Sequence, residues 1–325
     1  MTGQSINAVV IGRNEGERLR HCLKSIIGKV QYVVYVDSGS TDGSSQLAEF
    51  MGAVVVNLDM KMSFTAARGR NAGFERLMEI APETKFVQFV DGDCELVVDW
   101  LETAKGYLEA RKEYAVVCGR LQERHPETSL YNRLLDIEWS GSIGEIQSCG
   151  GIFMIRAKIF KETGGMDSTI IAGEEPEMCS RLRKAGWLIY RLNQQMAWHD
   201  ANLITFREWW GRAVRSGHGS LDVFERTNGN VFSSQVKRVR LWTLGWLSTL
   251  LVVSGFGIAL GSHFFIWSAI LVTSLYPLQI VRISIRFRQR LGWRESLIYG
   301  CLMMLSKWAE FYGQLSRSSF RKRQK

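Results

Sequence analysis

The stretch Phe86 to Glu95 reads FVQFVDGDCE, an apolar segment of strand length followed by the carboxylates of Asp91 and Asp93. Ligands of α/β sheets bind at the carboxyl ends of strands, and carboxylate oxygens suit divalent cations. The segment therefore predicts a metal site at the end of a buried strand. Acidic turns also commonly follow strands, so the triplet alone leaves open that both aspartates are solvated turn residues.

The segments before this strand alternate in type. Apolar runs of strand length occur at residues 8–11, 32–36, 53–56 and 86–90. Between them, helices are predicted at residues 15–27, 44–51 and 66–80. This alternation predicts a parallel sheet that is covered by helices on both faces.

Polar clusters also follow the first two strands, with GRNEGE at residues 12–17 and DSGSTDGS at residues 37–44. Because the carboxyl ends of parallel strands meet at one edge of a sheet, these clusters and the DGD triplet predict one ligand crevice. The second cluster has an ordinary explanation too, since Ser40, Thr41 and Asp42 are typical turn and helix-capping residues.

The order of several motifs is more specific than any one of them. They are NE at 14–15, DSGSTDGS at 37–44, ARGRNAG at 67–73, VDGD at 90–93, GGIFMIR at 150–156, GEEPEMCSRLRKAGW at 173–187 and WHD at 198–200. In this order the chain resembles the family 2 glycosyltransferases with the GT-A fold, over about residues 6 to 220. The resemblance implies an α/β fold in which a GT-A, Rossmann-like domain binds a nucleotide-sugar.

The resemblance also implies a nucleotide-binding set. Asp37 and Arg70 match residues that lie near the base and ribose in such enzymes, and Asp91 matches a residue that faces the nucleotide. Arg212 and Arg215 share one face of a predicted helix, and their spacing would let them clamp a diphosphate. The neighbouring tryptophans of this helix have a second interpretation, as anchors at lipid headgroups.

For the metal, the resemblance assigns Asp93 as a ligand and His199 as a second metal or diphosphate contact. Hard oxygen ligands suit both magnesium and manganese, so the sequence does not choose between them. His199 has an alternative as a buried core side chain, for which Asp200 could be the partner.

Glu174 and Glu175 match the acidic pair of the family, whose second member usually serves as the general base. The chain departs from the pattern because Glu stands at position 175 where Asp is usual, which moves the carboxylate by one methylene. Glu177 is a further candidate, and all three acids could instead stabilise the first turn of a helix. Gly150 and Gly151 would form the acceptor-side loop, although a strand-edge bulge explains the same glycines.

These roles predict an inverting reaction in a single displacement. Glu175 would take the proton of the acceptor hydroxyl, and a divalent ion at Asp93 would offset charge on the departing nucleoside diphosphate. The QxxRW signature of processive polysaccharide synthases does not occur in the sequence, which favours transfer of one sugar per encounter.

Two uncharged apolar stretches follow, at residues 241–260 and 264–281, each long enough to cross a bilayer. A pair of buried helices in a soluble domain is the alternative. Arginines and lysines flank the pair on both outer sides, while residues 261–263 between them contain none, so both flanks are predicted to be cytoplasmic. We therefore expect a multi-pass protein of the inner (cytoplasmic) membrane, with domains at 1–236 (catalytic), 241–281 (two transmembrane helices) and 282–325 (basic tail).

The tail contains eleven Lys or Arg and two acidic residues, a balance of +9 that equals the formal charge of the whole chain. Such segregation disfavours a nucleic-acid partner and favours anionic lipid headgroups. Apolar residues recur at helical spacing in it: Leu297, Cys301, Met304, Leu305, Trp308 and Phe311. They predict a helix on the membrane surface, with a third span or a cover for the catalytic domain as alternatives.

The remaining composition agrees with a cytoplasmic enzyme. The six cysteines have no paired metal spacing and are predicted to be free thiols, and no signal peptide is expected because the first strand begins almost at once. We expect a lipid-linked or glycan acceptor in surface or exopolysaccharide assembly, which the resemblance alone supports. The alternatives are a polyprenyl-phosphate sugar synthase and a non-catalytic nucleotide-sugar-binding scaffold. A dinucleotide oxidoreductase is disfavoured because GRNEGE is not a glycine-rich phosphate loop.

Overall fold

A computed structural model of the chain describes residues 5–260 and 263–316. The predicted hairpin residues Gly261 and Ser262 and the closing RKRQK sequence lie outside the described residues. Within them the chain divides into two compact units. The first comprises residues 5–204 and 226–231, and the second comprises residues 205–225, 232–260 and 263–316.

The first unit is built on one mixed sheet, which has nine strands among the described residues. They are β1 (Ile6–Gly12), β2 (Val33–Asp37), β3 (Val54–Asn57), β4 (Phe86–Asp91), β5 (Cys94–Leu96), β6 (Tyr114–Glu123), β7 (Gly144–Glu145), β8 (Phe153–Arg156) and β9 (Leu188–His199). The strand order is β3-β2-β1-β4-β8-β6-β9-β5, and β7 pairs with β9. Strands β3, β2, β1 and β4 run parallel, as the alternating sequence predicts, whereas β8 is antiparallel to both of its neighbours.

Seven helices accompany this sheet. They are α1 (Glu17–Ile26), α2 (Ser44–Phe50), α3 (Ala66–Ile80), α4 (Trp100–Ala110), α5 (Leu130–Trp139), α6 (Ala157–Glu162) and α7 (Glu174–Lys184). The predicted ends of α3 are confirmed, and Thr65 caps it by accepting the backbone N–H of Arg68 at 3.1 Å. Helix α1 begins two residues later than predicted, because Asn14 and Gly16 adopt positive φ angles of 56° and 51°.

The parallel strands form the centre of the core. Nearly every residue of β1, β2 and β4 is buried, because helices cover both faces of the sheet. Helix α3 packs so closely on the sheet that a Cβ at Gly73 would collide with the side chains of Val9 and Val36. This packing fixes where the polar residues of α3 lie relative to the strand ends.

Strand register brings the predicted polar ends to one edge. Gly12 pairs with Asp37, and Ile11 pairs with Asp91, so the ends of β1, β2 and β4 lie side by side. The prediction of a single crevice edge is therefore confirmed for these three strands. The ends are level although β2 begins opposite Ala8, two residues further along than the start of β1.

The second unit is helical. Its helices are α8 (Phe206–Arg226), α9 (Ser233–Arg240), α10 (Trp246–Leu260) and α11 (His263–Leu315), with a π-helical turn at Leu241–Gly245. Two helical stretches, Ser233–Leu260 and His263–Leu315, are long and apolar enough to cross a membrane, and they contain both predicted spans. Helix α8 belongs almost entirely to this unit, although the sequence prediction assigned residues up to 236 to the catalytic domain.

Helix α11 consists of two helices that meet at Gly292, whose φ of 73° and ψ of 171° are not helical. The segment 293–315 packs against the first half, since the Tyr276 hydroxyl donates to the Met304 carbonyl at 3.0 Å. It also packs against α8 at Gly217 and Gly313, where a Cβ would collide with backbone. The predicted apolar face is therefore divided, because Met304 is buried while Leu297, Cys301 and Leu305 are exposed.

Candidate active site

Arg70 is the centre of an ion-pair cluster at the end of β4. It lies on the inward face of α3 and is only 2% exposed. Its Nη2 donates to Asp91 Oδ1 at 2.7 Å, and its Nη1 donates to Glu174 Oε1 at 2.8 Å and lies 3.7 Å from Glu175 Oε1. Burial alone would lower the pKa of Arg70, but these carboxylates outweigh it and raise that pKa. Arg70 therefore links three of the predicted site residues.

The two glutamates come from the first turn of α7. Gly173 precedes them with a left-handed φ of 91°, which turns the chain into the helix, and the helix N-terminus favours their negative charge. The alternative explanation, helix stabilisation, is thus compatible with a site. However, stabilisation of α7 does not require a buried cation from another helix, and Arg70 of α3 is such a cation.

Glu175 differs electrostatically from its neighbour. Burial and the adjacent charge of Glu174 raise the pKa of Glu175 to about 8, although Arg70 opposes part of the rise. A carboxyl group with a pKa near neutral pH can accept a proton and release it again under the same conditions. This is the property that a general base requires.

Gly151 lies against the same cluster. A Cβ at this position would be 2.7 Å from Arg70 Nη2, 2.8 Å from Asp91 Oδ2 and 3.2 Å from Glu175 Oε1. Those three groups therefore converge on one point of the loop that precedes β8. Gly150 is a glycine for another reason, since its φ is 79° and a side chain there would meet no atom. The acceptor-side role of both glycines stays a prediction.

A second group of polar side chains lies where β5 pairs with β9. The register opposes Cys94 to His199, and His199 Nε2 lies 3.4 Å from Asp93 Oδ2. The ligand atoms of Asp93, Cys94 and His199 lie within 4.8 Å of one another. Burial and the Asp93 charge raise the pKa of the Cys94 thiol, which donates to Asp93 Oδ1 at 3.3 Å. With the sulfur kept as a thiol, the donor set is a carboxylate oxygen, which suits magnesium or manganese, and an imidazole nitrogen, which favours a transition metal such as manganese over magnesium.

Glu123 is a residue of this group that sequence reasoning missed. It ends β6, and its Oε2 lies 3.6 Å from His199 Nδ1. Burial alone would lower the pKa of His199, but Glu123 and Asp93 outweigh it and raise that pKa. The signal available in the sequence was an acid at the end of an apolar strand, the same signal that drew attention to Asp91.

Glu15 is a second missed residue, from the NE motif after β1. Burial and the Asp93 charge raise the pKa of Glu15 to about 7, and Arg18 pairs with it at 2.8 Å. A Cβ at Gly92 would lie 3.1 Å from Glu15 Cγ. The end of β4 is thus surrounded by carboxylates, an environment that favours a cation.

Asp37 organises the loop after β2. It accepts hydrogen bonds from the backbone N–H of Gly39 at 2.9 Å and Ser40 at 2.7 Å, and from the Tyr35 hydroxyl at 3.1 Å. The turn explanation of DSGSTDGS is therefore realised, and a nucleotide contact by Asp37 stays a prediction. Arg212 and Arg215 lie on α8 in the second unit, where burial and the Arg212 charge lower the pKa of Arg215. Their diphosphate role also stays a prediction.

Comparison with known proteins places this geometry in context. The sequence model of Glycosyl transferase family 2 matches residues 8–168. The glycosyltransferase AglE of Haloferax volcanii is 22% identical over 235 residues, which cover 67% of this chain and 74% of AglE. The pre-mycofactocin glycosyltransferase of Mycobacterium tuberculosis is 26% identical over 228 residues. That match covers 66% of this chain and 46% of the relative, so the chain spans less than half of the relative's length.

Two solved structures share the fold. The mannosyltransferase PcManGT from Pyrobaculum calidifontis, in complex with GDP-Man and Mn²⁺, aligns with a TM-score of 0.62 at 13% identity. The alignment covers 98% of this chain and 88% of PcManGT. TarS of S. aureus, residues 1–349, aligns with a TM-score of 0.51 at 16% identity, covering 98% of this chain and 92% of TarS.

Proposed function

The chain belongs to glycosyl transferase family 2, and from that premise we propose that it transfers one sugar, with inversion, from a nucleotide-sugar to a lipid-linked acceptor. It is a glycosyltransferase with a nucleotide-sugar donor. The observation that carries the finer proposal is the convergence of Arg70, Asp91 and Glu175 on Gly151.

In the proposed reaction, Glu175 accepts the proton of the acceptor hydroxyl. The acceptor oxygen forms a bond to the anomeric carbon while the bond from that carbon to the nucleoside diphosphate breaks. Arg70 restrains the acidic pair, because it bonds to Glu174 at 2.8 Å and lies 3.7 Å from Glu175. The raised pKa of Glu175 supports this role, because the carboxyl can change protonation state near neutral pH.

Asp93 and His199 are the residues that would hold a divalent cation, magnesium or manganese. The Asp93 oxygen fits either ion, the His199 nitrogen favours manganese, and PcManGT was solved with Mn²⁺. When bound, the ion supplies positive charge beside the leaving diphosphate. The protein's own contribution is to hold the two ligands 3.4 Å apart at the ends of adjoining strands.

We propose that the chain is attached to the inner membrane, where a lipid-linked acceptor would lie. Helices α10 and α11 expose large apolar side chains, among them Ile258 at 85% and Phe264 at 71%. In the segment 293–315, exposed apolar residues recur at intervals of three, four or seven positions: Trp293, Leu297, Cys301, Leu305, Tyr312 and Leu315. We call these six residues the apolar stripe. Such surfaces fit a bilayer, and the positive flanks would place both ends of the hairpin, and the catalytic domain, in the cytoplasm.

The proposal is tested on the full chain in detergent, with UDP-, GDP- and dTDP-sugars, membrane lipid extract, and manganese or EDTA. We expect nucleoside diphosphate release from one donor, abolished by EDTA and by Asp93→Asn. Glu175→Gln should lower turnover by about 100-fold to 10,000-fold. Glu177→Gln is the matched control, because Glu177 lies in the same helical turn but pairs with Arg181 at 2.9 Å.

The outcomes separate the alternatives. If Glu175→Gln keeps full turnover and the product is a sugar linked to lipid phosphate, the acceptor needs no base and the enzyme is a polyprenyl-phosphate sugar synthase. If a donor binds but no lipid fraction supports turnover, the scaffold alternative gains support and the catalytic proposal fails. Equal losses in the Glu175 and Glu177 variants would assign both residues to helix stability.

A further inference from the structure

Glu123 is a buried carboxylate that no motif of the sequence identifies. It ends β6, and the strand register pairs it directly with His199 on β9. Its side chain is fully buried. Burial of a charged carboxylate is costly unless hydrogen bonds and nearby charges compensate for the lost water, so its surroundings require an explanation.

Three N–H donors hold this carboxylate in one orientation. Glu123 Oε1 accepts from the His125 backbone at 3.2 Å and from Asn132 Nδ2 at 3.4 Å. Glu123 Oε2 accepts from the Ala201 backbone at 3.2 Å. Because a carboxylate oxygen can accept more than one hydrogen bond, Oε2 keeps acceptor capacity on the side of His199.

His199 lies between two carboxylates, one beside each ring nitrogen. Nε2 is 3.4 Å from Asp93 Oδ2, and Nδ1 is 3.6 Å from Glu123 Oε2. Nδ1 is buried and makes no hydrogen bond within the described part of the chain. The Trp139 ring packs edge-on against the imidazole, with the ring centroids 4.4 Å apart, and restricts its rotation.

We infer that Glu123 is a positioning residue that keeps the Nδ1 proton of His199, so that the Nε2 lone pair faces Asp93. A neutral imidazole has one protonated and one acceptor nitrogen, and the partner of one nitrogen decides the state of the other. Metal-binding histidines commonly depend on such an outer carboxylate. The inference rests on the metal site proposed above and adds a residue that does not itself touch the ion.

Glu123→Gln tests this role with almost no change in volume. The glutamine carbonyl can still accept from His125 and Asn132. The amide then takes the place of Oε2, so the bond from the Ala201 backbone is lost, and the amide would donate to Nδ1 and move the imidazole proton to Nε2. The first readout is Mn²⁺ affinity, measured by EPR on the full chain in detergent without donor. We expect affinity to fall by about 10-fold to 100-fold.

The second readout needs no metal. Nitrogen-15 NMR of the ring nitrogens, in histidine-labelled, metal-free protein at a pH where His199 is neutral, reports which nitrogen carries the proton. A His199→Ala sample identifies the signals among the five histidines. We expect the Nδ1–H tautomer in the parent protein, the Nε2–H tautomer in Glu123→Gln, and the Nδ1–H tautomer again in Glu123→Asp.

Ser129→Ala is the structural control. Ser129 caps α5 and donates to the Leu203 carbonyl at 2.6 Å, so its loss loosens the same region without touching His199. We expect this variant to lose thermal stability and to keep both Mn²⁺ affinity and tautomer. If it loses Mn²⁺ as strongly as Glu123→Gln does, Glu123 has only a structural role and the inference is overturned.

His199→Ala separates this inference from the proposed metal site. If His199→Ala binds Mn²⁺ as tightly as the parent protein, the site assignment itself is wrong. If His199→Ala weakens binding but Glu123→Gln changes neither affinity nor tautomer, the site stands and the role of Glu123 is refuted. Loss of affinity together with the tautomer change supports both.

Discussion

Removal of Arg70 should destabilise the protein far more than removal of an exposed arginine on the same helix. Arg70→Met keeps the length of the apolar stem but removes the cation that contacts Asp91 and Glu174. Arg76→Met is the matched control. It also lies on α3 and also forms one carboxylate contact at 2.8 Å, to Glu79, but its side chain is 45% exposed.

The magnitudes follow from burial. Breaking a buried ion pair by removing one partner costs about 3–5 kcal/mol, because the remaining charges stay buried without compensation. An exposed pair contributes less than about 1 kcal/mol. At about 2–4 °C per kcal/mol for a unit of this size, Arg70→Met should lower the melting temperature by roughly 6–20 °C, and Arg76→Met by at most a few degrees.

The decrease in the melting temperature of Arg70→Met should also depend on pH, and the carboxyl groups determine the direction of this dependence. The folded-state pKa of Glu175 is about 8, above that of an unfolded glutamate, so folding is favoured by protonation and stability falls as pH rises toward 8. Without Arg70, its positive charge no longer offsets the repulsion between the ionised carboxylates of Glu175, Glu174 and Asp91. The difference in melting temperature between Arg70→Met and the parent should therefore be larger at pH 8 than at pH 5.

Thermal unfolding in detergent, followed by tryptophan fluorescence, measures both quantities. Equal shifts for Arg70→Met and Arg76→Met would refute the ion-pair cluster as a stabilising element. A deficit for Arg70→Met that is the same at pH 5 and pH 8 would refute the account of uncompensated carboxylates, even if the variant is unstable.

Three further outcomes are expected. Gly151→Ala should lower turnover by about 100-fold, since its Cβ must displace Arg70, Asp91 or Glu175, whereas Gly106→Ala, where a Cβ meets no atom, should leave turnover unchanged. The value of kcat/KM should rise with pH and level off near pH 8, and a profile flat from pH 6 upward would contradict Glu175 as the base with the raised pKa. A nitroxide on Cys301, the exposed cysteine, should be more accessible to oxygen than to a water-soluble nickel chelate when the protein is in liposomes. The opposite order of accessibility would show that the apolar stripe does not lie in the bilayer.

The sheet could be predicted because its determinants are local. Continuous apolar runs in β1, β2 and β4 indicate strands buried on both faces, and the Thr65 cap is visible in the sequence beside α3. The fold of α11 could not be predicted in the same way. Its hydrophobic pattern continues through Gly292, and only the backbone conformation at that residue shows that the helix ends and a second one begins.

The site illustrates a related limit. The residues proposed to carry the chemistry, such as Asp93 and Glu175, stand in recognisable motifs at strand and helix ends. The contacts between these motifs are not visible in the sequence, because the ion pair between Arg70 and Glu174 joins positions 104 residues apart. Single-sequence patterns report periodicity and local turns, and neither contains information on such a separation.

Burial explains why the charged residues beneath the reactive side chains matter most for the properties of the site. A motif predicts which side chains can react, whereas the pKa of Glu175 and the orientation of His199 depend on what lies beneath them. Arg70 and Glu123 are both buried, both carry charge, and each contacts a predicted functional residue from another element. An isolated buried charge is costly, so each of these two charges requires a partner of opposite or titratable charge nearby. The partners are Asp91 and Glu174 for Arg70, and His199 for Glu123. A search for buried charges next to motif residues would therefore have found Glu123, once the strand ends had been placed, and would have added contacts with Asp91 and the acidic pair to the nucleotide role predicted for Arg70.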